Sequence, residues 1–143
     1  MCGWVGVVIS AGAQEQTAMI CGAPVRQARA EILWTRVICK QPGRYIGWPS
    51  VCVRKNGEVL AVFSGDRDEH VCPFGKVQMV RSTDQGATWT TAQTICNTQL
   101  DDRDAGIVEL PNGDLVVAWF TSVAYMGSIR DRSKLKPGSP QFY

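Results

Sequence analysis

Residues 51–63 read Val51-Cys52-Val53-Arg54-Lys55-Asn56-Gly57-Glu58-Val59-Leu60-Ala61-Val62-Phe63, two apolar, β-branched runs on either side of an Asn-Gly pair. Such runs around Asn-Gly are the strongest short-range hairpin signal, because both central residues of a type I′ turn need positive φ and these two tolerate it. The phrase returns as Ile107-Val108-Glu109-Leu110, Pro111-Asn112-Gly113-Asp114 and Leu115-Val116-Val117-Ala118-Trp119-Phe120, matching the first copy in polarity. Asn112 follows Asn56 by 56 residues, so the chain carries an internal repeat.

Between the copies lies a further strand pair, Lys76 to Arg81 and Thr88 to Ile95, joined by Ser82-Thr83-Asp84-Gln85-Gly86-Ala87. Ile32 to Cys39 adds another apolar, β-branched run, and helical periodicity is missing from Ile32 to Val123. Each repeat therefore holds four short antiparallel strands in an all-β chain. A four-stranded unit recurring at roughly 40 to 50 residues marks a β-propeller blade, whose sheet buries its faces only against neighbouring blades.

Composition sets the outer bounds. The 143 residues are 45% hydrophobic and 20% charged, with 15 Lys plus Arg against 13 Asp plus Glu. A net charge of +2 gives no field strong enough to drive nucleic-acid binding. No apolar run reaches the roughly 18 residues of a membrane helix. Neither nucleic acid nor membrane is an expected partner. The six cysteines, Cys2, Cys21, Cys39, Cys52, Cys72 and Cys96, never form a C-x-x-C pair; their even number permits disulfides, but a chain of this size and apolar content does not need them, and they read as scattered thiols. Asp68-x-His70-x-Cys72 has donor atoms but no second cluster, so no metal and no cofactor are expected.

The chain divides into three parts. Residues 1–30 form a leader in which Trp4 to Ala13 is apolar and small, and Ala11-Gly12-Ala13 resembles a cleavage site. The basic n-region of a signal peptide is missing. The segment thus reads either as signal-like, implying a secreted or periplasmic location, or as the product of a poorly set start. Residues 31–125 carry the blades, and 126–143 a polar extension or the start of an insertion. Even the smallest propellers need about four blades, roughly 160 residues, so the chain is expected to be the N-terminal piece of a larger protein.

In an up-and-down sheet successive connections fall at alternate ends. The Asn-Gly turns and the Asp84 turn then share one end, and the stretches Gly65 to Gly75 and Asn97 to Asp104 share the other. Six of the 13 carboxylates lie in those two stretches, Asp66, Asp68, Glu69, Asp101, Asp102 and Asp104, with Arg67, Arg103 and the single histidine, His70. Charge that dense at one end of rigid strands is where binding or catalysis belongs.

Ser82-Thr83-Asp84-Gln85-Gly86-Ala87-Thr88-Trp89 fits S-x-D-x-G-x-T-W at every defined position and resembles the Asp box of sialidases. Its role is structural: Asp84 accepts backbone N–H groups of the turn, Gly86 permits positive φ, and Trp89 packs into the sheet, with Ser82 and Thr88 completing the motif. With Arg44-Tyr45-Ile46-Gly47-Trp48-Pro49-Ser50, Ser64-Gly65-Asp66-Arg67, His70 to Gly75, and Leu100 to Gly106, the region from Glu31 to Tyr125 resembles the sialidase (neuraminidase) superfamily, more narrowly a bacterial sialidase-like branch.

The resemblance implies a six-bladed β-propeller, about two blades of it in this chain, and a glycoside hydrolase that removes terminal sialic acid or a similar acidic sugar from glycans without a cofactor. A fragment of this length is expected to be inactive alone. The resemblance places the general acid/base at Asp68, with Glu69 as the reserve. Arg44, Arg67 and Arg103 become candidate anion ligands, with His70 and Asp104 beside them and Trp48 facing a sugar ring. Gly47 stands where the family's Arg-Ile-Pro motif has its arginine, which favours an alternative, a non-catalytic carbohydrate-binding or interaction propeller that has lost its arginine clamp. Arg67 and Arg103 also fit simple ion pairs that rigidify loops, and His70 fits a loop anchor. The family's tyrosine nucleophile and its glutamate come from later blades, and neither Tyr125 nor Tyr143 sits in a recognisable version of that motif.

Overall fold

A computed structural model describes residues 31–127 and the backbone of three preceding strands. The strands are β1 (Val5–Gly6), β2 (Glu15–Ile20), β3 (Ala23–Ala28), β4 (Val37–Cys39), β5 (Tyr45–Val53), β6 (Val59–Arg67), β7 (Lys76–Ser82), β8 (Gln93–Cys96), β9 (Asp101–Glu109) and β10 (Leu115–Ser122). A single 3₁₀ turn, Ala124–Gly127, follows them. Most of the leader's apolar stretch, Cys2, Cys21, Tyr143 and the polar extension from residue 128 lie outside the described residues.

The chain separates into two units. One, Gly6–Arg36, contains the antiparallel hairpin of β2 and β3. The other contains the chain from Val37 onward, together with residues 1–5, and every residue of the candidate site belongs to it.

That larger unit is built from an antiparallel meander, β5-β6-β7-β8, and an antiparallel hairpin, β9-β10. Neither sheet closes on itself. The hairpin lies across the meander: Ala105 of β9 packs with Val62 and Val77, and Met79, Cys96, Ile107 and Val117 gather around them. β6 is the most enclosed strand, with Leu60, Ala61, Val62 and Phe63 fully buried. It is flanked by β5 and β7, so its backbone is paired on both edges and its side chains need cover on both faces, which the apolar run supplies.

The 56-residue repeat is written into the hydrogen bonds. Arg54 N donates to Glu58 O at 2.8 Å and Gly57 N to Arg54 O at 2.9 Å; Leu110 N to Asp114 O and Gly113 N to Leu110 O repeat these lengths. Asn56 and Asn112 each accept the amide two residues on, at 3.0 and 3.1 Å. The turns are not type I′, however. Only Gly57 (φ 85°) and Gly113 (φ 89°) are left-handed, and the asparagines are not. Each loop is a type I turn closed by a glycine bulge, three residues long, and the asparagine caps the amide two residues on instead of taking positive φ.

Three further expectations shift. The run Ile32 to Cys39 becomes a strand only at Val37–Cys39. The strand expected from Thr88 begins at Gln93, because Thr90 N reaches Arg81 O while Met79 pairs with Gln93, leaving one surplus residue in the second strand. Gly65–Arg67 and Asp101–Asp104, expected in connections, are the ends of β6 and β9.

Candidate functional site

The meander puts the Lys55–Gly57 turn and the Asp84 turn at one end and the Asp68–Gly75 loop at the other, as alternation requires. At the second end the strands are bulged. Gly47 pairs with Ser64 but Ser50 with Val62, so β5 carries an extra residue, and Trp48 sits there with φ 53°. Gly106 pairs with Ala118 but Arg103 with Phe120, and Asp104 takes φ 50°. Trp48 and Asp104 are 56 residues apart, so the same bulge occurs in both repeats. β6 bulges as well, with Asp66 at φ 54°. A left-handed residue with a side chain costs about 1–2 kcal/mol; bulges of this sort re-aim side chains near the rims of sheets.

The re-aiming is visible in the aromatics. Tyr45 and Trp48 are three residues apart, which in an unbroken strand puts them on opposite faces. Here their rings lie 5.6 Å apart. His70 stands edge-on to Trp48 at 5.0 Å and to Tyr45 at 6.1 Å. Two guanidinium groups close on the same indole, Arg67 at 5.4 Å and Arg103 at 4.8 Å.

Below this group lies a buried ion pair. Arg67 and Asp101 are both wholly inaccessible, and the guanidinium grips the carboxylate through both terminal nitrogens, Nη2 at 2.9 Å. Nη2 also donates to His70 O at 2.7 Å, and Nε lies 3.4 Å from Glu69 O. Arg67 thereby fixes the backbone of the loop that carries Asp68, Glu69 and His70. Of the two roles the sequence offers Arg67, anion ligand and ion-pair anchor of a loop, the enclosed pair on Asp101 fits the second. The adjoining Asp102 carboxylate is buried too and accepts from Thr98 N and Thr98 Oγ1, holding the loop before β9.

A second network lies toward solvent. Arg44 pairs with Asp66 at 2.8 Å and with Asp68, while Lys76 pairs with Asp66. Burial works to raise the Asp66 carboxyl, but Lys76 and Arg44 together hold it below the ordinary carboxylate range. The Asp68 side chain is 53% exposed, so its carboxylate combines an arginine partner with access to a substrate. Glu69 is exposed, and only its carbonyl takes part in the network. Asp104 is exposed, its amide donating to Ser64 Oγ at 2.9 Å.

Of the expected site residues, Arg44, Trp48, Arg67, Asp68, His70 and Arg103 come together at this end. Asp66 and Asp101, expected at this end only as part of its charge, and Tyr45 and Lys76, which the sequence did not mark, belong to the same constellation. Asp101 was detectable in principle, since two arginines held against one rim need a carboxylate between them; Tyr45 was not, because only the bulge turns it toward Trp48. Among the described residues no group of three or more His, Cys, Asp or Glu side chains converges as a metal would require.

The opposite end holds the Ser82–Trp89 turn. Asp84 accepts from Ser82 Oγ and Thr88 N at 2.8 Å and from Thr88 Oγ1 at 2.6 Å. Gly86 N donates to Ser82 Oγ, and Trp89 Nε1 to Gly86 O at 3.0 Å. The Thr88 hydroxyl and amide, with Ser82, hold the Asp84 carboxyl down at about 2. This aspartate is a fixed acceptor of the turn, far from Asp68 along the strands.

No family model, no curated protein and no solved structure matches this chain.

Proposed function

We propose that this chain carries blades of a sialidase-type β-propeller and that the bulged end is part of the site of a glycoside hydrolase acting on terminal sialic acid or a similar acidic sugar. The observation that carries the reading is the convergence, at one end of the sheet, of Trp48, His70 and arginine side chains with an accessible carboxylate, Asp68, held by Arg44. A self-satisfied Ser82-x-Asp84-x-Gly86-x-Thr88-Trp89 turn at the other end, and a repeat with matching turns and bulges, support the same reading.

In this proposal Asp68 protonates the leaving glycosidic oxygen and then activates water, Glu69 is its reserve, and Trp48 offers a flat apolar face to a pyranose. The partner is a glycan or glycoconjugate. The test is release of a fluorogenic sialoside by the protein. Asp68→Asn is expected to lower turnover by about 10²- to 10⁴-fold; full activity in that variant sinks the assignment of Asp68.

A second reading rests on two observations. Gly47 supplies no guanidinium where the resembled motif has one, and Arg67 is enclosed on Asp101. Both favour a carbohydrate-binding propeller without turnover. Binding on a glycan array with no release of the fluorogenic product distinguishes it from the hydrolase.

A further inference from the structure

The turn end of the meander is hollowed. Beside the Ser82–Trp89 turn lies a cleft of about 470 Å³, within the roughly 300–1,000 Å³ of pockets that hold small ligands. Its lining is one ion pair (Glu58 and Arg81), one indole (Trp89), three hydroxyls (Thr83, Thr88 and Thr90) and one carboxamide (Gln93). Arg81 stands two residues past Met79 along β7, and Gln93 is the cross-strand partner of Met79, so the cleft continues the face on which Met79 packs toward the β9-β10 hairpin.

The charges of this cleft are already matched. Glu58 accepts from Arg81 through Oε1 at 2.7 Å and from Arg54 through Oε2 at 2.8 Å, and Arg54 pairs onward with Glu109 at 3.1 Å. Two cations therefore meet two anions. The Asp84 carboxylate is not in the lining, and its oxygens are taken by Ser82 and Thr88. What remains free is neutral. The exposed Thr83 hydroxyl and Gln93 carboxamide make no hydrogen bond among the described residues. Thr90 Oγ1 accepts from Arg81 N at 3.1 Å and keeps its proton to give, whereas Thr88 Oγ1 gives its proton to Asp84 and keeps a lone pair. Arg81 spends Nε and Nη2 on Glu58, which leaves Nη1. The half-buried Trp89 ring is pinned through Nε1 to Gly86 O at 3.0 Å, so its plane is fixed before any ligand arrives.

We infer that this cleft is a second binding site, for a neutral pyranose whose axial C–H face lies on Trp89 and whose hydroxyls exchange hydrogen bonds with Thr83, Thr90 and Gln93. A pyranose carries an apolar face and, at each hydroxyl, both a donor and an acceptor, which is the mixture the lining leaves unsatisfied. An ion finds Arg81 and Glu58 already paired, and an apolar ligand strands the free hydroxyl and amide groups. The cleft shares no residue with the bulged end and stands apart from the hydrolase reading.

The experiment is saturation-transfer NMR on the full chain with methyl β-glucoside and maltose, and with inorganic sulfate and a neutral peptide of alternating threonine and valine as competitors. Both sugars are expected to bind with Kd of about 1 mM, with saturation strongest on the axial hydrogens of one ring face. The double variant Thr83→Ala, Gln93→Ala removes two exposed side chains outside the turn's hydrogen bonds and is expected to weaken maltose roughly tenfold. Trp89→Leu is expected to abolish the signal; where it does not fold, the double variant decides. Wild-type affinity in the double variant places the sugar elsewhere and overturns the inference, as does the absence of sugar binding by the wild-type chain. Displacement of maltose by millimolar sulfate makes the cleft an ion site and overturns it too. Displacement by the peptide, able to pair with the edge of β8 that is open among the described residues, assigns the cleft to a strand instead. Sugar binding without sialoside release leaves the inference standing and removes only the hydrolase reading.

Discussion

Gly75 shows how one residue holds the site together. A Cβ there would collide with Asp101 Oδ1 and Arg67 Nη1 and approach Asp102 O to 3.0 Å, so the backbone passes directly over the buried ion pair. Asp102 N donates to Gly75 O at 3.2 Å and holds it there. Gly75→Ala is therefore expected to force the pair apart and cost about 3 kcal/mol, within the range for breaking a buried ion pair, read from the urea midpoint. Stability within about 0.5 kcal/mol of wild type would mean that the loop lifts away freely. The sequence marked Arg67 as important but not for this reason. Its composition and neighbours fit an exposed ligand as well as a buried anchor, and only the arrival of Asp101 from 34 residues away decides between them.

At the scale of elements, the two repeats are tied at the turn end. Arg54 donates to Glu58 at 2.8 Å, to Glu109 at 3.1 Å and to Gly113 O at 3.2 Å, and Lys55 N donates to Glu109 at 2.7 Å. Burial raises the Glu58 carboxyl, but Arg54 and Arg81 outweigh it and hold the group low. The Lys55 amide and then Arg54 do the same for Glu109 against its burial. Carboxyls whose folded pKa is depressed contribute stability that is complete above their unfolded values and disappears as pH falls through the folded ones. With ordinary values of 4.5 for the glutamates and 3.8 for Asp84, stability should be level at neutral pH and fall from about pH 4.5 downward. The last part of the fall, toward about 2, belongs to Asp84. Acid titration of the urea midpoint checks this, and Asp84→Asn should flatten the curve below pH 3.8 while lowering stability at pH 7. An unchanged curve would show that the turn holds without its carboxylate. Strand pairs and both turns were legible because period-two alternation and Asn-Gly are local signals; the bulges were not, since a surplus residue shows only when two strands are laid in register.

Across the whole molecule, the two copies of the hairpin share a pattern but not an environment. β6 is buried almost throughout, whereas its counterpart β10 leaves Val116 at 44%, Trp119 at 42% and Phe120 at 49% exposure. Among the described residues β10 pairs only with β9, so one edge and an apolar face are open, the combination that invites strand addition. The chain is expected to self-associate at micromolar concentration, and Phe120→Lys to shift it toward monomer in light scattering coupled to size exclusion. A monodisperse, monomeric wild-type chain with a cooperative melt would contradict this. By itself the sequence determined an all-β chain, its antiparallel pairing, its repeat length, the end at which charge gathers and the residues of the Ser82–Trp89 turn, because each depends on neighbours a few residues apart or on simple alternation. The tertiary structure alone decided that Arg67 is the arginine paired with Asp101 and that Arg67 and Arg103 both lie against Trp48, since that depends on left-handed bulges and on one carboxylate, Asp101, brought in from another strand, and a low-dielectric interior makes the choice of partner decisive.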